Sequence, residues 1–341
     1  MKILVTGGTG YIGSHFIIEL LKNKDWNVVS IDNHVNSSPK TLDRIKQITG
    51  KEIKNYAIDL RDKEKVLEVF KENSDISGIV HFGALKAVGE SVDEPLRYYE
   101  NNLIGLTNIL TAVEKFKIPY FIFSSSCSVY GNVEKLPVNE ETPMGIAESP
   151  YAHTKQIGEG IIAHFYRKFK DIKGISLRYF NPVGGDESGL NGEDPINRPN
   201  NLVPVITQVA SGIIQEMTIF GDDWNTRDGT CVRDYIHVSD IAFAHIKALE
   251  YLLEDKNDSN YEVFNLGTGN GVSVYEAIKA FEKTTGEKLN YKFGPRRPGD
   301  IEAVYSDNSY TESKLNWKPE RDIEEMMRSA WKWQQELNKE K

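Results

Sequence analysis

Cysteine is scarce in this chain. Only Cys127 and Cys231 occur among 341 residues, too few for a disulfide framework or a four-ligand metal centre, and neither stands in a CxxC pair. A reducing compartment, the cytoplasm, is therefore expected, with no metal. Long apolar runs are also missing: none approaches the ~18 residues of a membrane span, so no membrane partner is expected. Met1 leads straight into a short apolar strand without the pattern of a secretory leader. Positive charge is in deficit, with 41 Lys and Arg against 50 Asp and Glu and a formal net charge of -9. That field repels polyanions, which argues against nucleic acid and leaves small phosphorylated ligands open. Low-complexity tracts and repeats are absent too, and the composition, 39% hydrophobic and 27% charged, is that of a globular chain. Its length exceeds the roughly 250–300 residues at which one core stops growing, which predicts a large domain with a smaller one.

What is present begins with glycine. In "MKILVTGGTGYIGSHFIIELLKN" an apolar run, Ile3 to Val5, meets a glycine cluster, after which Ile12, Phe16, Ile17, Leu20 and Leu21 recur at helical spacing. Gly7, Gly10 and Gly13 suit a tight strand-to-helix turn where the backbone approaches a pyrophosphate and the helix N-terminus faces it. A merely structural turn is the bland alternative; placement between strand and helix favours a nucleotide. The next strand, "NVVSIDN", ends at Asp32. A carboxylate there can accept both hydroxyls of an adenosine ribose and disfavours an added phosphate, so NAD is the expected cofactor rather than NADP.

Strands at 53–59, 78–84, 120–126 and 174–180 alternate with helices at 62–71, 93–115 and 150–170. Such alternation predicts an α/β fold, a doubly wound parallel sheet with ligands at the carboxyl ends of its strands. Those ends carry Asp59; Phe82, Gly83 and Ala84 with Lys86; Ser124, Ser125 and Ser126; and Tyr179, Phe180 and Asn181. In "SPYAHTK", Ser149 is a candidate N-cap and Pro150 a first-turn residue, which places Tyr151 and Lys155 on one helix face. With 16 tyrosines in the chain, YxxxK alone signals little.

Taken together, "VTGGTGYIGSH", "HFGALKAVGESV", "FSSSCSVYG", "SPYAHTK", "RYFNPVG", "GEDPINRPNNLVP", "DGTCVRDYIHVSD", "FNLGTG" and "RRPGD" resemble the extended short-chain dehydrogenase/reductases, and within them the UDP-glucose 4-epimerases, along nearly the whole chain. The resemblance implies a catalytic set of Ser126, Tyr151 and Lys155. It implies NAD contacts at Gly7, Gly10, Tyr11, Ile12, Gly13, Asp32, Asn33, Asp59, Leu60, Phe82, Gly83, Ala84, Lys86, Asn101, Ser124 and Tyr179, besides Tyr151 and Lys155. UDP-sugar contacts are implied at Lys86, Ser126, Tyr151, Asn181, Asn201, Leu202, Thr218, Phe220, Arg233, Tyr235, Arg297, Asp300 and Val304.

In the implied reaction Tyr151 takes the proton of the sugar 4-hydroxyl as C4 passes hydride to NAD, and the tethered 4-keto sugar turns before hydride returns to its other face. Lys155 and the oxidised nicotinamide are expected to hold the phenol ionised, and arginines to anchor the diphosphate. Residues 1–180 and 236–270 would form the NAD domain, 181–235 and 271–341 the UDP-sugar domain, and the helices near 93–115 and 150–170 a homodimer interface. The chain departs from the family pattern at Ala152, Thr154, Gly185 and Asp186, and at Val304, where a tyrosine is usual in many bacterial members. The smaller valine predicts room for an N-acetyl group. A 4,6-dehydratase is the nearest alternative activity, but it needs an acid and a base just after the position of Ser126, where Cys127 and Ser128 stand. A non-catalytic NAD sensor on the same fold has no use for Ser126, Tyr151 and Lys155 together.

Overall fold

A computed structural model describes residues 1–297 and 300–340; Pro298 and Gly299 of "RRPGD" lie outside the described residues. The amino-terminal part alternates as the sequence predicts: β1 (Lys2–Thr6), α1 (Tyr11–Asn23), β2 (Asn27–Ile31), α2 (Lys40–Thr49), β3 (Lys54–Tyr56), α3 (Lys63–Glu72) and β4 (Ile76–His81). After β4 come α4 (Val88–Asp93), α5 (Pro95–Tyr99), α6 (Gly105–Phe116), β5 (Tyr120–Ser126), α7 (Pro150–Lys168) and β6 (Lys173–Tyr179). The expected helix at 93–115 is in fact broken. Pro95 forces Glu94 out of the helical region, to φ -125 and ψ 58, and a π turn over Glu100–Ile104 then feeds α6. The strand expected over 53–59 shrinks to Lys54–Tyr56, an edge strand.

Further along lie β7 (Asn181–Val183), α8 (Leu202–Ala210), β8 (Met217–Phe220), β9 (Val232–His237), α9 (Val238–Leu253) and β10 (Tyr261–Leu266). The chain closes with β11 (Gly271–Ser273), α10 (Val274–Thr285), β12 (Tyr291–Gly294), β13 (Ala303–Val304), α11 (Ser309–Leu315) and α12 (Ile323–Lys339). The main sheet has seven parallel strands in the order β10-β6-β5-β4-β1-β2-β3. Its strands are apolar because helices cover both faces. On one face Phe16 and Ile17 of α1 pack with Ile241, Leu249 and Leu252 of α9; on the other, Val66 and Phe70 of α3 pack with Ile109 and Val113 of α6 and Ile162 of α7. Strand order reverses between β1 and β4, which opens the crevice at their carboxyl ends.

A second sheet gathers around β9, which pairs with β7, β11 and β13, while β8 pairs with β12. Ile206, Ile278, Phe281, Met326 and Met327 fill the core behind it. The segment after β13 crosses back: Leu315 and Trp317 join the core of the large sheet, and the Trp317 indole donates to the Asp240 carbonyl at 3.0 Å.

Candidate active site

The glycine turn lies in that crevice. Gly7 has φ +70, and a Cβ on it would stand 2.9 Å from the Gly83 amide nitrogen after β4. A Cβ on Gly13 would stand 2.2 Å from the Gly7 carbonyl oxygen, so α1 presses directly on the turn. Gly10 is the N-cap of α1 and has no side chain over the free N–H groups, which leaves them to a ligand. Gly13→Ala must displace backbone rather than a flexible side chain, and we expect it to abolish retention of NAD through gel filtration; wild-type retention by this variant refutes that role for the turn.

Asp32 is more engaged than a ribose acceptor need be. Its carboxylate accepts from the Thr9 amide at 3.0 Å, the His34 amide at 2.9 Å and the Ser37 hydroxyl at 2.9 Å. Two carboxylate oxygens offer about four acceptor sites, so capacity for a ligand hydroxyl remains. Nearby, Asn55 Oδ1 is buried without a partner among the described residues. Asn33 is exposed, its Oδ1 accepting from the Val35 amide. Asp59 forms a fork with Arg61, at 2.7 Å to Nη2, and these hydrogen bonds hold its carboxyl below the usual range. Leu60 packs under Gly83 and Gly105, and the Phe82 ring meets the His245 ring at a tilt of 46°. Ile12 and Ala84 are half-buried beside this turn. The Tyr11 hydroxyl donates to the Gly184 carbonyl at 2.7 Å, and the Lys86 ammonium sits 5.6 Å from the centre of its ring. Asn101 lies in the π turn and donates to Asn102, which in turn donates to Thr154 on α7. π turns recur at functional sites because they redirect side chains out of helical register.

Ser126, Tyr151 and Lys155 come together at the end of β5. Ser149 caps α7 by accepting from the Ala152 amide at 3.2 Å, with Pro150 in the first turn, as the sequence predicts. Lys155 is buried, donates to the Ser124 carbonyl at 2.6 Å, and lies 5.8 Å from the centre of the Tyr151 ring. Ser126 Oγ accepts from the Ser128 amide at 3.2 Å. Electrostatics here run against the expected ionised phenol. Burial pushes the Tyr151 phenol up to about 12, although the neighbouring Ser126 hydroxyl pulls the other way. Burial also draws the Lys155 ammonium down to about 8, opposed by Glu159 one turn along. The Tyr179 hydroxyl meets His245 Nε2 at 2.6 Å, and its burial raises its pKa strongly.

The expected substrate contacts gather on the second sheet. Arg233 on β9 donates to the Ile301 carbonyl at 2.8 Å and lies 3.7 Å from Asp300, while Arg297 forks onto Asp300 at 2.8 Å and covers the Phe220 ring. Two guanidiniums therefore flank one carboxylate, which leaves net positive charge for a diphosphate. Tyr235 is buried, Thr218 half-buried on β8, and Leu202 opens α8 behind Asn201. Asn181 Oδ1 is buried with no partner among the described residues. Val304 is paired in register with Arg233 and packs with Phe180, Val129 and Cys127. This apolar cluster joins the residue next to Ser126 to the arginine anchor.

Three site neighbours escaped the sequence reading. Glu193 accepts from both Lys86 and Asn201, and Glu159 with Arg178 forms a buried pair beneath Ser125. Glu159 stands four residues after Lys155 on the same helix face, a spacing that could have marked it; Glu193 lies within "GEDPINRPNNLVP" but nothing local marks it.

A glycine turn at the switch point of a parallel sheet, with serine, tyrosine and lysine at the end of a neighbouring strand, defines an extended short-chain dehydrogenase/reductase. The family model described as GDP-mannose 4,6 dehydratase matches residues 4–330. The UDP-glucose 4-epimerase of Bacillus subtilis (strain 168) is 48% identical over 334 residues, 98% of this chain and 97% of that protein. The crystal structure of UDP-glucose 4-epimerase from Bifidobacterium longum in complex with NAD+ and UDP superposes with a TM-score of 0.94 at 47% identity, over 99% of each chain. The UDP-Glc/GlcNAc 4-epimerase from Campylobacter jejuni superposes with a TM-score of 0.84 at 35% identity, over 98% of this chain and 99% of that one. The chain belongs to the UDP-glucose 4-epimerase family. Elimination of water, the dehydratase step, finds no carboxylates beside Ser126: Cys127, its thiol pushed up to about 12 by burial, and Ser128 follow it.

Proposed function

We propose that this chain inverts C4 of UDP-glucose and UDP-galactose, with NAD as its cofactor and no metal. The convergence of Ser126, Tyr151 and Lys155 at the end of β5, joined through Cys127 and Val304 to Arg233, carries this reading. The crevice fits a dinucleotide: the glycine turn has no room for a side chain against the Gly83 backbone, and Asn55, beside Asp32, keeps a buried oxygen without a partner among the described residues. When bound, NAD supplies the hydride acceptor and a positive charge. The protein supplies the proton chemistry and the grip. Tyr151 moves the proton at the 4-hydroxyl, Ser126 orients that hydroxyl, and Lys155 adds positive charge beside the phenol. Arg233 and Arg297 hold the diphosphate, and Phe220, Asn201, Leu202, Thr218, Tyr235 and Asp300 the nucleoside, while the sugar turns. Asn181 and Lys86 serve the sugar end, and the remaining glycine-turn, Asp32, Asp59, Asn101 and Tyr179 positions the cofactor.

The two-part division of the chain, 1–180 with 236–270 and 181–235 with 271–341, is part of the same reading, with α11 docked on the first part. So is a cytoplasmic homodimer: Leu96 at 79% and Ile104 at 39% exposure present apolar side chains on the 93–115 stretch assigned to the interface. No helix among the described residues is long and apolar enough to cross a membrane.

A coupled assay of the purified protein is expected to convert UDP-galactose to UDP-glucose without added cofactor after NAD loading. Absence of turnover in the NAD-loaded protein overturns the reading. Val304 extends it: the position beside the sugar carries a small buried side chain, so UDP-GlcNAc is expected to be epimerised as well, at a rate within about 200-fold of UDP-galactose, since a pocket contact is worth ~1–3 kcal/mol. Brisk turnover of UDP-galactose with none of UDP-GlcNAc removes that extension alone.

A further inference from the structure

We infer that Glu193 is a positioning residue that pins the two sides of the sugar site to each other, an inference that rests on the reading of Lys86 and Asn201 as ligand contacts. Lys86 stands on the loop after β4, on the cofactor side; Asn201 caps α8, on the substrate side. They come from regions far apart in the chain, yet both donate to one atom: Glu193 Oε1 accepts from Lys86 Nζ at 2.7 Å and from Asn201 Nδ2 at 3.0 Å. Glu193 is only 13% exposed, whereas Lys86 is 53% exposed and needs such an anchor to lose its rotamer freedom.

The segment carrying Glu193 is itself built to hold the carboxylate in place. Asn191 is buried and donates to Ser14 Oγ of α1 at 2.9 Å. At Gly192 a Cβ would stand 2.3 Å from the Trp333 ring of α12, so only glycine lets the segment lie against that indole. Trp333 Nε1 then donates to the Glu193 carbonyl at 2.9 Å. With the backbone fixed from α1 and from α12, the side chain has one reach, and Lys86 and Asn201 meet at its end. Among the described residues no hydrogen bond uses Oε2, so the carboxylate retains acceptor capacity beyond its two protein donors. The chemistry is that of an acceptor between an ammonium and an amide, which fixes two donors of opposite walls for a hydroxylated, negatively tethered ligand.

The test is the Michaelis constant for UDP-galactose in NAD-loaded protein. Glu193→Ala is expected to raise KM about fivefold, the upper range for a partly exposed pair, with kcat changed less than about twofold. Glu193→Asp, which keeps the charge one methylene short of both donors, is expected to give the same rise and serves if the alanine variant folds poorly. Glu193→Gln, whose amide oxygen still accepts from both, is expected to restore a KM near wild type. The rise in Lys86→Ala/Glu193→Ala is expected to fall below the product of the two single rises. A KM that is unchanged or lowered in Glu193→Ala and Glu193→Asp overturns the inference, a lowered value meaning that Glu193 competes with the ligand for Lys86. So does a fall in kcat alone that tracks lost thermal stability. If Lys86→Ala and Asn201→Ala leave KM unaltered, the underlying assignment of ligand contacts fails and this inference with it; if they raise KM while Glu193→Ala does not, this inference alone fails.

Discussion

Tyr151→Phe is expected to lower kcat for UDP-galactose by about 10²–10⁴-fold, the usual contribution of a positioned acid or base, while NAD binding and the unfolding midpoint stay close to wild type. Only one oxygen is removed, and the ring keeps its packing beside Lys155. The size of the effect depends on how the phenol is ionised. In the protein alone burial pushes it up to about 12, so at neutral pH it retains its proton. A competent base needs a shift of several units, at ~1.4 kcal/mol each. A unit charge at ~4 Å and an effective dielectric of ~20 contributes about 4 kcal/mol. Lys155 does not supply this by itself, since its ammonium is turned to the Ser124 carbonyl and is easily lost, with a pKa drawn down to about 8 by burial.

Phenolate absorbance is accordingly expected only in strong alkali for cofactor-free protein, and at markedly lower pH once NAD is bound. The sign for Lys155 is also defined. Its folded pKa lies below the unfolded value, so the unfolded chain binds more protons between about 8 and the ordinary lysine value of 10.5. Its contribution therefore makes stability rise with pH across that window. Turnover falls over the same range, because the charge beside the phenol is lost. Equal titration of the phenol with and without NAD, or a Tyr151→Phe variant with wild-type turnover, defeats this account.

Arg178→Met is expected to produce the largest loss of stability, about 3–5 kcal/mol. Arg178 and Glu159 are 6% and 4% exposed, joined at 2.7 Å through Nη2 and again at 2.9 Å through Nε. Glu159 also accepts from the Ser125 hydroxyl at 2.5 Å, and Arg178 donates to the Tyr130 hydroxyl at 2.9 Å, which continues to Asn265. Removing the guanidinium leaves a carboxylate in the core with a single side-chain hydrogen-bond donor, the Ser125 hydroxyl, and with Lys155 one turn away. Removing both charges is different: in Arg178→Met/Glu159→Leu the desolvation of each ion disappears with it, and most of the stability is expected to return. Urea denaturation of the single and double variants reads both values. A loss under ~1 kcal/mol in Arg178→Met shows that water reaches the carboxylate and that the pair is not buried in solution. The network lies directly beneath the site, since Ser125 precedes Ser126 and Glu159 follows Lys155 by one turn. The single variant should therefore lose stability and site geometry together.

Whatever depends on short-range periodicity was determined by the sequence. Strand, glycine turn and helix at the amino terminus, the strand over 120–126 and the capped helix that opens at Pro150 all have local causes: apolar runs, glycine spacing and a serine before proline. Tyr151 and Lys155 share a face because α-helical spacing requires it. Tertiary structure decided what depends on partners distant in sequence. Lys86 and Glu193 are 107 positions apart, and Ser125 and Glu159 are 34 apart, so no local pattern could bring either pair together. It also decided the direction of the Tyr151 shift, because burial, which exists only once the chain has packed, outweighs the pull of the Ser126 hydroxyl. The break at Glu94 sits between these cases: Pro95 announced it, but the π turn that follows and the resulting place of Asn101 come from the packing of α7 against that segment.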